Sequence, residues 1–323
     1  MSLPTITRAR ATALLCGAAA LGAVGQPGRA QTSETIRVAA IPIVGAAQPA
    51  MAKDLGFFAK AGIDVDIQPM LGSSAIASAV LSNSADIGFS AVDTLATAHA
   101  KGVSLVIIAP ASEYLSTSVA NDAELVLPAN SLVRTAKDLT GKTIGVNSLS
   151  GIALLSTRAW IDQNGGDSLA VKFVEIPFST MPVALESGRV DCVQVTEPFI
   201  AAAKKNGRVL AEHLNGAVSK RFLITAWFTT PQWAAAHPDA VRRFAAAIRE
   251  TAIWTDQKNN AAKRTELLAK YTKIDPAVIA TMTPPHYGDQ LSAALIQPLV
   301  DVDAKYNKFG TYPAGELVYA PAR

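Results

Sequence analysis

Short runs in which apolar and polar positions alternate with period two are separated by runs with helical period, and this order recurs along most of the chain. Residues 36–41 form a β-rich run closed by Pro42, and Gly45 leads into a helical segment that reaches Lys60 and stops at Gly62. Ile63, Val65 and Ile67 alternate with Asp64, Asp66 and Gln68, the pattern of a half-buried strand. Gly72, Ser73 and Ser74 then open a helix with Ile76, Val80 and Leu81 on one side. A strand over 86–89, a helix to Lys101 and an apolar run over 103–109 complete this part. The order restarts with a strand over 141–146, a helix over 150–163, a strand over 171–176 and a further short strand beginning at Val209. Strands alternating with helices predict largely parallel sheets. Beyond Pro231 the pattern turns mostly helical: Pro238-Asp239 and Asp275-Pro276 mark helix starts, and Val241, Phe244, Ile248 and Ile253 share a face expected to pack back on the first part of the chain.

One stretch occurs twice without a gap. Residues 79–90, running on to Gly102, align with residues 184–195, running on to Gly207, so that Asp86 matches Asp191. Each copy predicts a helix, a buried strand and a second helix. A duplicated α/β unit implies two similar lobes facing each other, with a ligand held between them. The second lobe is expected over residues 120–222 and the first over 31–119 together with 223–323; the crossings fall near 115–124 and 222–229.

Residues 1–30 read as a cleaved export signal: Arg8 and Arg10 precede an apolar run from Ala11 to Gly25, and Gly28-Arg29-Ala30 offers a cleavage site. The run is too short to span a bilayer. Losing Arg8, Arg10 and Arg29 leaves 26 basic against 26 acidic side chains, so nothing marks a surface for nucleic acid or anionic membranes. Cys16 leaves with the leader, and Cys192 stays alone between Val190 and Val193, the setting of a buried, unreactive thiol.

Catalytic and cofactor patterns are missing. Gly141-Lys142-Thr143 fails as a phosphate loop because Ala136 stands where its first glycine is required. His99, His213, His237 and His286 have no metal-ligand spacing, and residues 88–92 lack the second glycine of a nucleophile elbow. No metal or cofactor is expected. The strand-to-helix loops carry the candidate site instead, because ligands of open α/β sheets sit outside the carboxyl ends of the strands. The first lobe contributes Gln48, Ser73, Ser74, Ser90 and Asp93; the second contributes Ser148, Ser150, Gly151, Phe178, Ser179 and Glu197. Hydroxyls and free backbone N–H groups at helix starts can hold an oxyanion without arginine, although Ser73, Ser150 and Ser179 could also be plain N-caps. Asp93 and Glu197 stand one residue out of register in the two copies. Either can serve as favourable charge at a helix start, and Glu197 can also receive an ammonium or N–H. Tyr114, Phe178, Trp227 and Phe228 lie near the crossings and the cleft, placed to enclose a carbon skeleton or to fill core.

Four segments together resemble the substrate-binding proteins of ABC importers for nitrate, sulfonates and taurine: Leu55-Gly56-Phe57-Phe58-Ala59-Lys60-Ala61-Gly62-Ile63-Asp64-Val65, Ala85-Asp86-Ile87-Gly88, Asp138-Leu139-Thr140-Gly141-Lys142-Thr143-Ile144-Gly145-Val146 and Glu197-Pro198-Phe199. The resemblance implies a two-lobed type II periplasmic binding protein of the α/β class, with two hinge crossings. It implies a monomer without enzymatic activity that closes on one small anionic or zwitterionic solute and delivers it from the periplasm to a permease and its ATPase. The loops at Gln48, Ser73-Ser74, Ser90, 148–151 and Glu197 would face the solute. The same superfamily holds binders of pyrimidine precursors and a fungal thiamine-pyrimidine synthase. An aromatic acid, a pyrimidine precursor or an exported pyrimidine-related enzyme is therefore the competing expectation, weakened by the lack of the synthase's cysteine-rich stretch.

Overall fold

In the computed structural model, which describes residues 35–320 except Leu71, Val119, Asn121, Pro198 and the side chain of Ser74, the alternating runs become strands. The expected leader, residues 1–30, lies outside the described residues. The first part of the chain supplies β1 (Thr35–Ala40), β2 (Asp64–Pro69), β3 (Ile87–Ala91) and β4 (Val106–Pro110), connected through α1 (Gln48–Asp54), α2 (Phe57–Lys60), α3 (Ser73–Leu81) and α4 (Val92–Ala100). The helix expected to run to Lys60 is two helices, broken at Leu55-Gly56. After β5 (Glu113–Leu115) come β6 (Ala123–Pro128), β7 (Thr143–Val146), β8 (Lys172–Glu175), β9 (Cys192–Thr196) and β10 (Gly207–Ala211), with α5 (Ile152–Gln163), α6 (Met181–Glu186) and α7 (Ile200–Lys204). β11 (Arg221–Leu223) and β12 (Thr225–Thr229) bring the chain back, and α8 (Pro231–Ala236), α9 (Pro238–Asp256), α10 (Ala261–Thr272), α11 (Pro276–Thr281) and α12 (Ala293–Asn307) follow.

Two five-stranded sheets result, in the orders β2-β1-β3-β12-β4 and β8-β7-β9-β6-β10. The three leading strands of each are parallel, as the alternation predicts. The fourth strand of each is reversed, which the alternation does not predict: β12 runs antiparallel to β3 and β4, and β6 antiparallel to β9 and β10. The reversed strands are the ones that arrive from the other sheet. β12 starts with Thr225 opposite Ala91, the last residue of β3, and β6 starts with Ala123 opposite Thr196, the last residue of β9. Both crossings therefore enter at the carboxyl edges of the parallel strands, so the strand-to-helix loops of both lobes open toward the crossings. There β5 and β11 pair antiparallel, and the fully buried Glu113 accepts a hydrogen bond from Arg221 Nε while Tyr114 packs on Phe222 at 5.5 Å between ring centres.

α9 packs its Phe244 and Ile248 into the first lobe with Phe58, Phe89 and Trp227. The second lobe has separate cores on the two faces of its sheet, one holding Leu125, Ile144 and Cys192, the other Val193, Met181 and Leu185. Cys192 is fully buried, and burial pushes its thiol pKa up. Gly88 is a glycine for lack of room: a Cβ there would lie 2.6 Å from Phe228 Cζ and 2.7 Å from Ile76 Cγ2.

The repeated aspartates do one structural job twice. Asp86 donates its N–H to Arg37 O at 2.9 Å and accepts the Arg37 N–H at 2.8 Å through its side chain. Asp191 donates to Thr143 O at 2.9 Å and accepts the Thr143 N–H at 2.8 Å. Each aspartate thus ties the strand it precedes to the neighbouring parallel strand, β3 to β1 and β9 to β7. Asp86 also takes the Arg37 guanidinium at 3.0 and 2.7 Å, a bidentate pair. Lys142 stays 3.6 Å from Asp191, and both are part exposed. Removing a group that satisfies several donors costs more than removing a surface pair. Asp86→Ala is expected to lower stability by about 3 kcal/mol and Asp191→Ala by about 1–2 kcal/mol in urea denaturation. Equal losses would show that the guanidinium adds nothing.

Candidate functional site

β3 passes into α4 without a loop, which puts Ser90 near the strand end and Asp93 in the first turn of the helix. Ser90 is 1% exposed and Asp93 3% exposed, and neither Ser90 Oγ nor Asp93 Oδ1 has a hydrogen-bond partner among the described residues. Burial, and then the charge of Asp303 on α12, push the Asp93 carboxyl up to about 7, against the pull of its own N–H and that of Thr94. Asp303 is itself raised by burial; its carboxylate accepts from Thr97 Oγ1 at 2.7 Å and from Asn307 Nδ2 at 2.5 Å.

Gln48 opens α1 and is fully buried. Its Oε1 accepts the Trp227 Nε1–H at 3.0 Å, whereas its Nε2 has no partner among the described residues. Trp227 lies in the first lobe's core, 5.3 Å from Phe89 and 6.0 Å from Phe244 between ring centres. It connects with the loop region through Gln48. The strand register explains this, since β12 alternates Ala226 and Phe228 to one face and Trp227 to the other. Tyr114 is equally enclosed, at 1% exposure in the crossing strand, and burial followed by the charge of Asp122 pushes its hydroxyl up to about 12.

From the second lobe, Gly151 precedes α5 with φ 91° and ψ −179°, a conformation that favours glycine. A Cβ at Gly151 would lie 3.3 Å from Asp93 Oδ2, so the start of α5 meets Asp93 from the other lobe. In the same turn Ser148 Oγ accepts the Ser150 N–H at 3.2 Å, and Glu175 Oε2 accepts the Leu149 N–H at 3.2 Å. The plain N-cap expectation for the serines is corrected: Gly72, Gly151 and Pro177 occupy the cap positions, and none of these helix starts has a side-chain cap bond. Ser73 is the half-buried first residue of α3, while Ser150 and Ser179 are exposed. The side chain of Ser74 lies outside the described residues. Phe178 stacks on Phe199 at 5.8 Å, two positions beyond Glu197.

Glu197 is half-buried, and its carboxyl is raised first by burial and then by the charge of Glu124, with Lys204 opposing. Lys204 is held by Glu124 at 2.7 Å. A pocket of about 230 Å³ opens here, lined by Asp122, Glu124, Glu197, Glu212, His213 and Thr283. His213 Nδ1 lies 2.7 Å from Asp122. A larger hollow of about 470 Å³, between Lys53, Ile67, Lys270 and Tyr271, contains none of the expected site residues. Among the described residues no group of three or more His, Cys, Asp or Glu side chains could hold a metal ion, and no helix is long and apolar enough to cross a membrane.

The structure thus brings together Asp93 with Gly151, Gln48 with Trp227, and Ser148 with Ser150. Asp303, Asp122, Glu124 and Thr283 escaped the sequence reading. They reach these neighbourhoods only through long-range packing, and no local motif marks them.

Two α/β sheets with one reversed strand each, joined by paired crossing strands, form the fold of the periplasmic solute-binding proteins. The chain belongs to the NMT1-like family, whose model matches residues 29–269. It is 23% identical over 275 residues to the taurine-binding periplasmic protein of Escherichia coli (strain K12), covering 81% of this chain and 82% of that one. The periplasmic aliphatic sulphonate binding protein SsuA from Escherichia coli has a similar structure, with TM-score 0.72, 18% identity, and coverage of 90% of this chain and 94% of that one. The periplasmic nitrate-binding protein NrtA from Synechocystis PCC 6803 follows with TM-score 0.64, 16% identity, and coverage of 90% and 93%.

Two outcomes are expected from this geometry. Gly151→Val forces a β-branched residue into positive φ against Asp93 and is expected to lower stability by about 1–3 kcal/mol in urea denaturation. An unchanged midpoint would mean that the α5 start relaxes freely. For Asp93, the folded protein holds the proton more tightly than the unfolded chain, whose carboxyl titrates near 4. Its contribution is fully present below about pH 4 and is lost as pH rises through about 7. Asp93→Asn is therefore expected to stabilise the ligand-free protein at pH 8, by on the order of 3 kcal/mol at most, with the gain shrinking by pH 5. A gain independent of pH would rule out this titration.

Proposed function

We propose that this chain is the solute-binding component of an ABC importer, exported to the periplasm by residues 1–30, and that it captures a small anion of the sulfonate, taurine or nitrate type between its lobes. The observation that carries the reading is the meeting of the α5 start with Asp93 across the two sheets, within a fold whose crossings aim the loops of both lobes at one another. The family membership and the names of the similar proteins support it.

The first lobe then comprises residues 31–119 and 223–323 and the second 120–222. The N–H groups at the starts of α3 and α5, with Ser73, Ser74, Ser148, Ser150 and Gly151, hold the anionic group, as a helix dipole and free donors do without a basic side chain. Ser90 and Gln48 bring further hydrogen-bonding groups from the first lobe. Phe178 and Ser179 border the second lobe's side, and Glu197 lines the outer mouth. Trp227 and Tyr114 support the site from behind. The reading is one of binding without turnover by a monomer: closure buries the solute, and the closed form is what the permease and its ATPase recognise.

The test is thermal unfolding of the chain from residue 31, with calorimetric titration, against taurine, alkanesulfonates, nitrate, aromatic acids and pyrimidines. One class is expected to bind at one site per chain, adding about 4 kcal/mol at a thousand times its Kd. Binding confined to pyrimidines or aromatic acids would replace the anion assignment, and turnover of any bound compound would overturn the transport role.

A further inference from the structure

We propose that Asp93 is the selectivity residue of the interlobe site: it accepts a hydrogen bond from a protonated amine on the ligand, so that the chain favours an amino-substituted anion over the same anion without the amine. This deepens the functional reading above and rests on it, because it takes the interlobe loops as the seat of the anion.

Three observations carry the proposal. Asp93 is 3% exposed, and its Oδ1 finds no partner among the described residues, while its Oδ2 lies 3.3 Å from where a Cβ of Gly151 would stand. Ser90 Oγ, three positions earlier and 1% exposed, is likewise without a partner there. The charged group that acts most on Asp93 is another acid, Asp303. A buried carboxylate beside an acid and without a cation is unfavourable in the empty protein. Favourable charge at the start of α4 does not require such burial; the same benefit is available to an exposed residue.

The start of the twelve-residue α5 meets this carboxylate from the other lobe. An anion seated on the α5 N–H groups lies beside Asp93 and is repelled once Asp93 ionises. A ligand that carries its own ammonium a few bonds from the anion removes that repulsion and fills the open acceptor. Glu197 is the weaker candidate for this role, being only half-buried and relieved by nearby Lys204.

The pH dependence follows from the groups that face Asp93. On its own helix these are its N–H and that of Thr94; α12 presents Asp303, which Thr97 and Asn307 hold and Lys101 offsets; α5 presents the backbone at Gly151. As Asp93 ionises between pH 6 and pH 8, affinity for the amine-bearing anion rises and affinity for the simple anion falls.

Calorimetric titration of the mature chain with 2-aminoethanesulfonate and with ethanesulfonate, at pH 6 and pH 8, tests this in the wild type, Asp93→Asn and Glu197→Gln. The wild type is expected to prefer the amine-bearing sulfonate at pH 8, and Asp93→Asn to weaken its binding about ten- to a hundredfold there while strengthening that of ethanesulfonate, which the wild-type carboxylate repels at this pH. Equal effects on both sulfonates, or an amine preference abolished by Glu197→Gln alone, would overturn the assignment while leaving the anion site standing. If Asp93→Asn fails to fold, the wild-type pH dependences decide: opposite slopes support the proposal and parallel slopes overturn it. Absence of binding by either sulfonate would remove both the proposal and the sulfonate reading beneath it.

Discussion

A strand that arrives from another lobe must enter a sheet at the edge where the chain crosses, and that constraint organises the molecule. β12 begins opposite the last residue of β3, and β6 opposite the last residue of β9. Both crossings therefore lie at the carboxyl ends of the parallel strands, and both arriving strands are reversed relative to their neighbours. The direction is set by where the chain comes from, since the opposite sense would require it to run around the sheet first. The carboxyl ends of β3 and β7 lie on the crossing side, and Asp93 can meet Gly151. The short β5–β11 pair, with Glu113 buried against Arg221, keeps the two crossings side by side.

Stability and binding are separated within this frame. Asp86 and Asp191 satisfy backbone donors of β1 and β7 with nearly identical geometry and tie the middle of each sheet together. Three buried polar atoms at helix starts and a strand end of the first lobe are treated differently: Gln48 Nε2, Ser90 Oγ and Asp93 Oδ1 lack partners among the described residues. Buried groups of this kind cost about 1–3 kcal/mol each when left unmade. Ser90 and Asp93 stand where β3 passes into α4, and the start of α5 at Gly151 meets Asp93 from the second lobe. These atoms hold unused hydrogen-bonding capacity, and Gln48 joins them to the core through Trp227, which packs on Phe244.

Much of this was legible because it is local. The alternation at Ile63, Val65 and Ile67, the helix starts at Pro238 and Asp275, and the pairing of Asp86 with Asp191 are written within a few residues of one another. The succession of most strands and helices along the chain and the duplicated unit follow from them. Each loop residue could be placed at the end of a strand by counting alone.

The partners of those residues were not legible, since they come from elsewhere in the chain. Periodicity does not state a strand's direction within its sheet, and neither β6 nor β12 is expected as a strand at all: residues 222–229 read only as a crossing, yet residues 225–229 lie in the first sheet. Whether Trp227 faces ligand or core depends on which side of β12 it takes, and the register against β3 and β4 decides that. Asp93 looks like any acid in a first helical turn; its burial, its neighbour Asp303 on α12 and its meeting with Gly151 exist only once distant segments pack. The sequence by itself determined the elements, the duplication and the loop residues available for binding. The tertiary structure decided which of those residues are buried, paired or left open, because burial and electrostatic environment are properties of contacts between segments far apart in the chain.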